Sequence, residues 1–332
     1  WLQGDIVMSE SVKTNKKFNI GTFYTKYGIF VILAAVFIIS SIAAPGMFCT
    51  PRNIMNIFLA ICCTTVLSFG STFVIILGHI NISYGSEIAF VGVTSVIVNV
   101  MTGSVVLSII VALIMGLALG AITGFFITKF SVPAFIVTLA LTEACRGAAV
   151  LIAGGTTVQG MNDNYAFLGQ GFVGPIPMSV IILVICFIIA LFILNKTVFG
   201  RHVYAVGGNA NAAKASGIKP QRVVMKAFIL DGIFVGVGSL LLMGRLNAGV
   251  PSAGDGYEMD AITAVVVGGT SMAGGSGTLV GTIVGAVIVG IINNIQTLLG
   301  VDGNIQKIVK GVIIVAAVVV DVVTKSSAKK AR

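Results

Sequence analysis

Residues 200–220, GRHVYAVGGNANAAKASGIKP, form the longest polar interruption in an otherwise apolar sequence. Residues 210–216 are an alanine-rich run that is long enough for about two helical turns. The chain break at Gly207, Gly208 and Asn209 precedes this run, and Gly217 and Pro220 end it. The stretch therefore predicts a short helix on a water-exposed loop between two apolar helices, where another protein can hold it.

The sequence on both sides of this loop is too apolar for a water-soluble protein. Of 332 residues, 57% are hydrophobic and only 9% are charged, and the mean hydropathy is +1.07. Such a chain must be solvated by lipid. We therefore predict an all-α polytopic membrane protein in a lipid bilayer, with a transmembrane domain at residues 29–323 between a cytoplasmic segment (1–28) and a basic cytoplasmic tail (324–332).

The net charge of +9 is explained by where the basic residues lie. Fifteen of the twenty Lys and Arg fall before the first span, at Lys129, in a central loop at residues 195–226 and in the tail. By the positive-inside rule, these four segments face the cytoplasm. The charge therefore predicts a chain in the cytoplasmic (inner) membrane with both termini in the cytoplasm, and it does not point to nucleic acid as a partner.

The apolar runs predict ten membrane crossings. They lie at residues 29–44, 54–77, 88–101, 105–128, 132–153, 178–194, 227–244, 259–268, 278–295 and 305–323. An even number of crossings returns the basic C-terminus to the side on which the basic N-terminus begins, in agreement with the charge pattern.

Two glycine-bracketed segments interrupt the apolar runs. The first break, GHINISYGS at residues 78–86, aligns without a gap with residues 268–276 of the second break, which is GGTSMAGGSG at residues 268–277. Glycines spaced four apart at residues 116–124 are echoed at residues 277–285. The pattern predicts an inverted repeat whose broken helices line a path near the bilayer midplane. Chance similarity between glycine-rich segments is the alternative.

The breaks carry the candidate substrate path. They free backbone groups that hydrocarbon cannot satisfy, so the breaks must be covered by protein or by a water-filled cavity. Asn81, Ser83, Tyr84 and Ser271 would then offer neutral hydrogen bonds to a polyhydroxylated solute. The alternative is that Asn81 and Ser83 merely cap the helix that starts near Ser86.

A few charged residues fall inside the predicted spans and are functional candidates for that reason. Glu143 and Arg146 lie three residues apart on one helix face and can pair with each other. A structural ion pair is the favoured interpretation, and a proton relay is the alternative. Asp231, Asp260 and Lys310 are further candidates, and the alternative for Asp231 and Lys310 is a position near the cytoplasmic and outer ends of their spans.

The sequence contains no pattern typical of an enzyme. It has no nucleophile with an adjacent base, no phosphate-binding loop of the Walker type and no cluster with metal-ligand spacing. Its five cysteines lie mostly within apolar runs and are interpreted as small packing residues. We therefore expect no catalytic site, no metal site and no cofactor held by this chain.

Three stretches resemble the permease subunit of ABC importers of the ribose and galactose type. They are the central loop, residues 256–277 (GYEMDAITAVVVGGTSMAGGSG) and the first break, and the likeness covers residues 29–321. The resemblance implies a type II-like permease fold and a homodimer. It also implies two partners: a cytoplasmic ABC ATPase that binds and hydrolyses Mg-ATP, and a periplasmic or lipid-anchored sugar-binding protein.

The resemblance assigns the coupling to the ATPase to one group of residues. They are Gly207, Gly208, Asn209, Asn211, Ala212, Ala213, Lys214 and Gly217. Asn211 stands where the family usually has a glutamate, which removes the carboxylate that would form a salt bridge to the ATPase. Asn81 stands where the family often has an aspartate, which removes any charged role there.

The function implied by the resemblance is ATP-driven import of a monosaccharide, for which the chain provides the translocation path. Import of another solute, such as an amino acid, a nucleoside or a sugar derivative, is one alternative. A proton-coupled secondary transporter that uses Glu143 and Arg146 is a second, and a purely structural or sensory membrane protein without solute flux is a third.

Overall fold

The computed structural model describes residues 20–330, and it describes the surroundings of side chains for residues 28–319. The regular structure of this part is helical apart from one short antiparallel ribbon of two strands and an isolated bridge between Val158 and Gly249. The elements are α1 (Ile20–Ala43), α2 (Pro51–Ile76), α3 (Tyr84–Thr102), α4 (Val105–Phe130), α5 (Ala134–Ile152), α6 (Asp163–Gln170), β1 (Phe172–Val173), β2 (Ile176–Pro177), α7 (Met178–Lys196), α8 (Val198–Gly208), α9 (Ala210–Ala215), α10 (Pro220–Leu246), α11 (Tyr257–Val267), α12 (Leu279–Leu298) and α13 (Gly303–Lys330).

Seven helices of the described part are long and apolar enough to cross a membrane, namely α2, α3, α4, α5, α7, α10 and α12. The prediction of an all-α polytopic membrane protein is confirmed. The other three predicted crossings coincide with α1, α11 and α13. Since α11 has only 11 residues and α1 is apolar over the shorter stretch Gly28–Ala43, ten crossings remains a prediction.

Two helices form the centre of the bundle. Most of α2 and α10 is buried inside the protein, whereas α4, α5 and α7 bury only a minor part of their apolar length. The outer helices expose large apolar side chains such as Ile114, Phe130 and Ile188. Exposed apolar side chains on outer helices are expected where lipid is the solvent.

Small residues bring the central helices into backbone contact. A Cβ added to Gly116 of α4 would collide with the carbonyl oxygen of Gly232 on α10. In the second glycine series, a Cβ on Gly285 of α12 would collide with the carbonyl oxygen of Ala264 on α11. The two glycine series therefore pack different pairs of helices. Their positions relative to the breaks also differ, because α3 lies between the first break and α4, whereas α12 follows the second break directly. The inverted repeat remains a prediction.

The central loop contains one helix that was predicted and one that was not. The predicted short helix is α9, and Asn209 caps it because its Oδ1 accepts from the backbone N–H groups of Asn211 and Ala212, both at 3.0 Å. At the other end, Gly217 has φ +85°, and its N–H and that of Ile218 close the helix in a Schellman arrangement. The predicted break at residues 207–209 is narrower than expected, since α8 runs through Gly207 and Gly208 and Asn209 alone separates it from α9.

Candidate coupling and transport site

The short helix α9 presents an exposed face to its surroundings. Asn211, Ala212 and Lys214 are exposed, and so is Gly217 beyond the helix end. Ala213 is only 5% exposed and packs against the main hydrophobic core. Among the residues assigned to ATPase coupling, Ala213 therefore anchors α9 to the transmembrane domain, and the exposed residues remain the predicted contact with a partner.

The preceding helix, α8, lies against the end of α2 and against the second break. A Cβ on Gly207 would collide with the carbonyl oxygen of Ile76, the last residue of α2. The same carbonyl accepts a 2.8 Å hydrogen bond from the N–H of Gly275 in the second break, and a Cβ on Gly274 would lie 2.7 Å from the Gly207 oxygen. We call Ile76, Gly207, Gly274 and Gly275 the glycine junction. The three glycines have no Cβ, and this allows α8 and the second break to approach the Ile76 carbonyl so closely.

A tyrosine on α8 adds a second link to the same break. The hydroxyl of Tyr204 donates a 2.7 Å hydrogen bond to the carbonyl oxygen of Gly277. Burial raises the pKa of Tyr204 above its usual value, so the group keeps its proton as a donor at neutral pH. The loop that carries α9 is therefore attached to the second break by packing and by a hydrogen bond.

The first break is fastened to α10 through Asp231. The amide of Asn81 and the hydroxyl of Tyr84 donate to the two carboxylate oxygens of Asp231, each at 2.9 Å. Asp231 is 1% exposed and lies about 16 Å along α10 from Pro220, at 1.5 Å per residue. The alternative that Asp231 lies near a cytoplasmic helix end is therefore wrong, because three turns of α10 separate it from Pro220.

A second buried acid, Glu87, belongs to the same cluster and was missed by the sequence analysis. Its Oε1 lies 2.7 Å from the Ser83 hydroxyl, which also lies 2.6 Å from Asn81 Oδ1. Among residues 28–319, the ion pairs are those of Lys307 and Lys310, so neither acid of the cluster has a cationic partner. Glu87 stands at the polar start of α3, a position that a search for charges within apolar runs passes over.

The predicted path residues Asn81, Ser83, Tyr84 and Ser271 are all at most 2% exposed. Asn81 Oδ1 accepts from the N–H of Ser83 at 2.9 Å, while Ser83 stands at the N-cap of α3 without a side-chain capping bond. The Ser271 hydroxyl oxygen accepts from the N–H of Ala273 at 3.1 Å. In this conformation the four side chains are held within the protein, and contact with a solute remains a prediction.

A polar cavity of about 500 Å³ lies among α2, α11, α12 and the last turn of α10. Its polar lining includes four asparagines that the sequence analysis did not single out, Asn53, Asn56, Asn293 and Asn294. Arg245, near the end of α10, also lines it, so the cavity lies at the end of the bundle away from α9. The feature of the sequence that could have predicted this cavity is the pair of adjacent amides, Asn293 and Asn294, at the end of an apolar span.

The charged candidates of the spans have partners other than those expected. Arg146 donates from Nη1 to the carbonyl oxygens of Pro251 and Ala253, at 2.7 and 3.0 Å. Within the part of the chain whose side chains are described, no ion pair joins it to Glu143, which is exposed. The predicted Glu143–Arg146 pair is therefore wrong, because the arginine reaches across to the connection between α10 and α11.

Asp260 lines the polar cavity and is paired across helices. Lys310 Nζ of α13 lies 2.9 Å from one carboxylate oxygen of Asp260 and 3.0 Å from the other. Both side chains are largely shielded from solvent, at 24% exposure for Lys310 and 11% for Asp260. A partly buried pair of this kind keeps a charge of either sign from being left alone in the membrane.

Replacement of Glu143 by glutamine is expected to leave solute uptake within twofold of the wild-type rate, because no ion pair of Glu143 occurs among residues 28–319. Replacement of Arg146 by glutamine is expected to lower the yield of folded protein and the uptake rate, because two backbone carbonyls lose a charged donor worth about 1.5–3 kcal/mol each. Uptake in vesicles and thermal unfolding in detergent measure both effects. A proton-linked mechanism would instead make Glu143→Gln inactive.

The comparisons with known proteins also indicate a transport protein. Residues 53–318 match the family described as branched-chain amino acid transport system / permease component. The ribose import permease protein RbsC of Bacillus subtilis (strain 168) is 39% identical over 318 residues, covering 94% of this chain and 98% of the relative. RbsC of Escherichia coli (strain K12) is 35% identical with the same coverage.

A third relative is named for a different pentose. The L-arabinose transport system permease protein AraH of Escherichia coli (strain K12) is 35% identical over 313 residues, covering 94% of this chain and 95% of the relative. No solved structure is significantly similar to the chain. The extent of the family match and the identity to three permeases along nearly the whole chain lead to one conclusion: the chain belongs to the permease-component family of ABC transport systems.

Proposed function

We propose that this chain is the membrane-spanning subunit of an ATP-driven importer and provides the translocation path for a monosaccharide. Relatives that align with nearly all of the chain are named as ribose and L-arabinose permeases. On this proposal a separate ABC ATPase hydrolyses ATP, and an external sugar-binding protein delivers the solute. The chain makes ten crossings with both termini in the cytoplasm, and two copies form the permease.

One observation carries the proposal: two helices connect the glycine junction to the polar cavity. α2 contributes Asn53 and Thr64 to the cavity and ends at Ile76 in the junction. α11 contributes Tyr257 and Asp260 to the cavity and leads into the second break. A displacement of α9 and α8 at one end of the bundle is therefore transmitted along packed helices to the cavity at the other end.

The surface around α9 has a charge that selects its partner. The central loop at residues 195–226 contains six Lys and Arg and no Asp or Glu. Arg201, Lys214, Lys219 and Arg222 are exposed. A partner surface with carboxylates is favoured by electrostatic complementarity, which mainly accelerates and orients association. With Asn211 in place of an acid, the ATPase contact would depend on acidic residues of the ATPase itself.

The test is the replacement of Ala212 by arginine, which adds a long charged side chain to the exposed face of α9. We expect this variant to fold normally and to lose co-purification with the ATPase, together with at least 90% of ATP-driven uptake. Thr157→Arg, at an exposed position between α5 and α6, is the matched control and should retain both. Full binding and uptake by Ala212→Arg would refute the assignment of α9 as the docking helix.

A second solute class is favoured by the description of the matched family, which names branched-chain amino acids. Leucine is therefore the competitor to include in uptake assays with ribose and L-arabinose. Uptake of leucine in place of the sugars would retain the ATP-driven importer and change its substrate.

A further inference from the structure

The polar cavity opposite α9 has the size of a ligand site. Its volume of about 500 Å³ falls within the range of roughly 300–1,000 Å³ that is typical of small-molecule sites. Most of its polar side chains are amides or hydroxyls, and apolar residues such as Ala264 and Val289 form the remaining wall. Polar side chains that converge on a concave surface with apolar residues between them are typical of a specific binding site.

Two of the four amides are used to hold the cavity together. Asn53 and Asn294 exchange two hydrogen bonds, at 3.0 and 2.9 Å, between α2 and α12. Asn53 also donates to the carbonyl oxygen of Phe48 at 2.9 Å. These two side chains therefore fix the distance between the two helices on either side of the cavity.

The other two amides have hydrogen-bonding capacity to spare. The side-chain oxygen of Asn293 is buried and has no partner among the described residues. The exposed side chain of Asn56 lines the same cavity. A buried amide oxygen without a partner costs about 1–3 kcal/mol, so its position favours a ligand that donates a hydrogen bond to it.

The charges around the cavity favour a neutral ligand. The carboxylate of Asp260 is paired with Lys310, so its negative charge is largely compensated and attracts an ammonium group only weakly. Arg245 is exposed at the cavity and is only 3.5 Å from the carbonyl oxygens of Leu59 and Ala60. An amino acid zwitterion requires a free carboxylate for its ammonium group, whereas hydroxyl groups can both donate to amides and accept from them.

We propose that this cavity is a binding site for a neutral polyhydroxylated solute, with Asn293 and Asn56 as the groups that contact its hydroxyls. The assignment rests on the proposed importer function and adds a place and a set of contacts to it. The solute occupies the cavity between its release from the external binding protein and its passage toward the breaks. Asn53 and Asn294 act as positioning residues that hold α2 and α12 at a fixed distance from each other.

The first experiment compares Asn293→Leu with Asn304→Leu, which alters an exposed asparagine of α13 outside the cavity. Both chains are assembled with the ATPase and the binding protein in proteoliposomes and supplied with ribose. We expect Asn293→Leu to lower the uptake rate at least tenfold and to leave ATP hydrolysis stimulated by the loaded binding protein within twofold. Asn304→Leu should match the wild type in both measurements.

The second experiment detects occupancy directly. Thr297 is exposed and lines the cavity, so Thr297→Cys is placed in a Cys49→Ser background, because Cys49 is the exposed native cysteine of the described part. A membrane-impermeant maleimide should label it from outside, and excess ribose or L-arabinose should slow the labelling at least threefold. Asn304→Cys in the same background should be unaffected by sugar.

The outcomes separate the site from the function. If the wild type takes up ribose with ATP but Asn293→Leu is unchanged and sugar does not protect Thr297→Cys, the site assignment is wrong and the importer function stands. Protection by leucine and not by sugar would overturn the ligand class. If the assembled wild type transports neither sugar, the monosaccharide function fails and the site assignment fails with it.

Discussion

Replacing Gly207 by alanine is expected to lower ATP-driven uptake at least tenfold. The added Cβ would collide with the carbonyl oxygen of Ile76 and lie 2.9 Å from the N–H nitrogen of Gly275. Backbone atoms of two other segments cannot yield as a flexible side chain can, so α8 must move away from the junction. Overpacking of this kind costs about 1–3 kcal/mol. Here it weakens the packing of the central loop against the end of α2 and the second break.

The adjacent glycine provides the matched control. A Cβ on Gly208 has no atom within 4 Å, and alanine is favoured over glycine in a helix by about 1 kcal/mol. Gly208→Ala should therefore retain uptake and unfold at the same or a slightly higher temperature. Uptake in proteoliposomes, with ATPase co-purification as the check on docking, measures both variants. Equal activity of the two variants would show that the glycine junction does not transmit motion.

Replacing Asp231 by leucine is expected to abolish uptake and to lower the unfolding temperature in detergent. The substitution leaves the amide of Asn81 and the hydroxyl of Tyr84 buried without their acceptor, at about 1–3 kcal/mol for each donor. A Cβ on Gly70 would collide with Asp231 Oδ1, so the lack of a side chain at Gly70 makes room for the Asp231 carboxylate. Loss of this cluster detaches the first break from α10.

An exchange of side chains tests whether the bond itself matters. Asn81→Asp alone places two carboxylates opposite each other, whereas Asp231→Asn alone keeps an amide oxygen that can still accept from Asn81, as in the Asn53–Asn294 pair. The double variant Asn81→Asp/Asp231→Asn restores one donor and one acceptor, so it should recover much of the uptake and stability that Asn81→Asp loses. Additive losses in the double variant would contradict a direct role for this hydrogen bond.

Features that depend on neighbouring residues could be predicted from the sequence. The short helix α9 follows from an alanine run bounded by Asn209, which caps it, and Gly217, which closes it with a positive φ. The apolar runs likewise predicted the positions of seven long helices. These features depend on local capping and on hydrophobic length, both of which can be read within a window of about 20 residues.

Features that depend on distant residues could not be predicted. Asp231 meets Asn81 across 150 residues, and Asn53 meets Asn294 across 241 residues. The spacing of Glu143 and Arg146 suggested a pair, but the arginine found better acceptors more than 100 residues away. Glycine patterns indicated close packing, yet which helices pack together was decided by the tertiary arrangement.

The expected role of Ala213 also changed for a tertiary reason. The resemblance placed it among the residues that contact the ATPase, and the structure buries it beneath α9. A disruptive substitution at Ala213 would damage the permease as well as the docking surface. Ala212, one position earlier and exposed, separates these two effects.

The source of energy for transport is the measurement that tests the central claim most directly. Ribose uptake is followed in proteoliposomes that contain this chain and the binding protein, with or without the ATPase. The energy source is either ATP on the side of the membrane that the ATPase faces or an imposed proton gradient. The account predicts uptake only when the ATPase and ATP are both present, and none with a proton gradient alone. Uptake driven by the gradient without the ATPase would contradict the account.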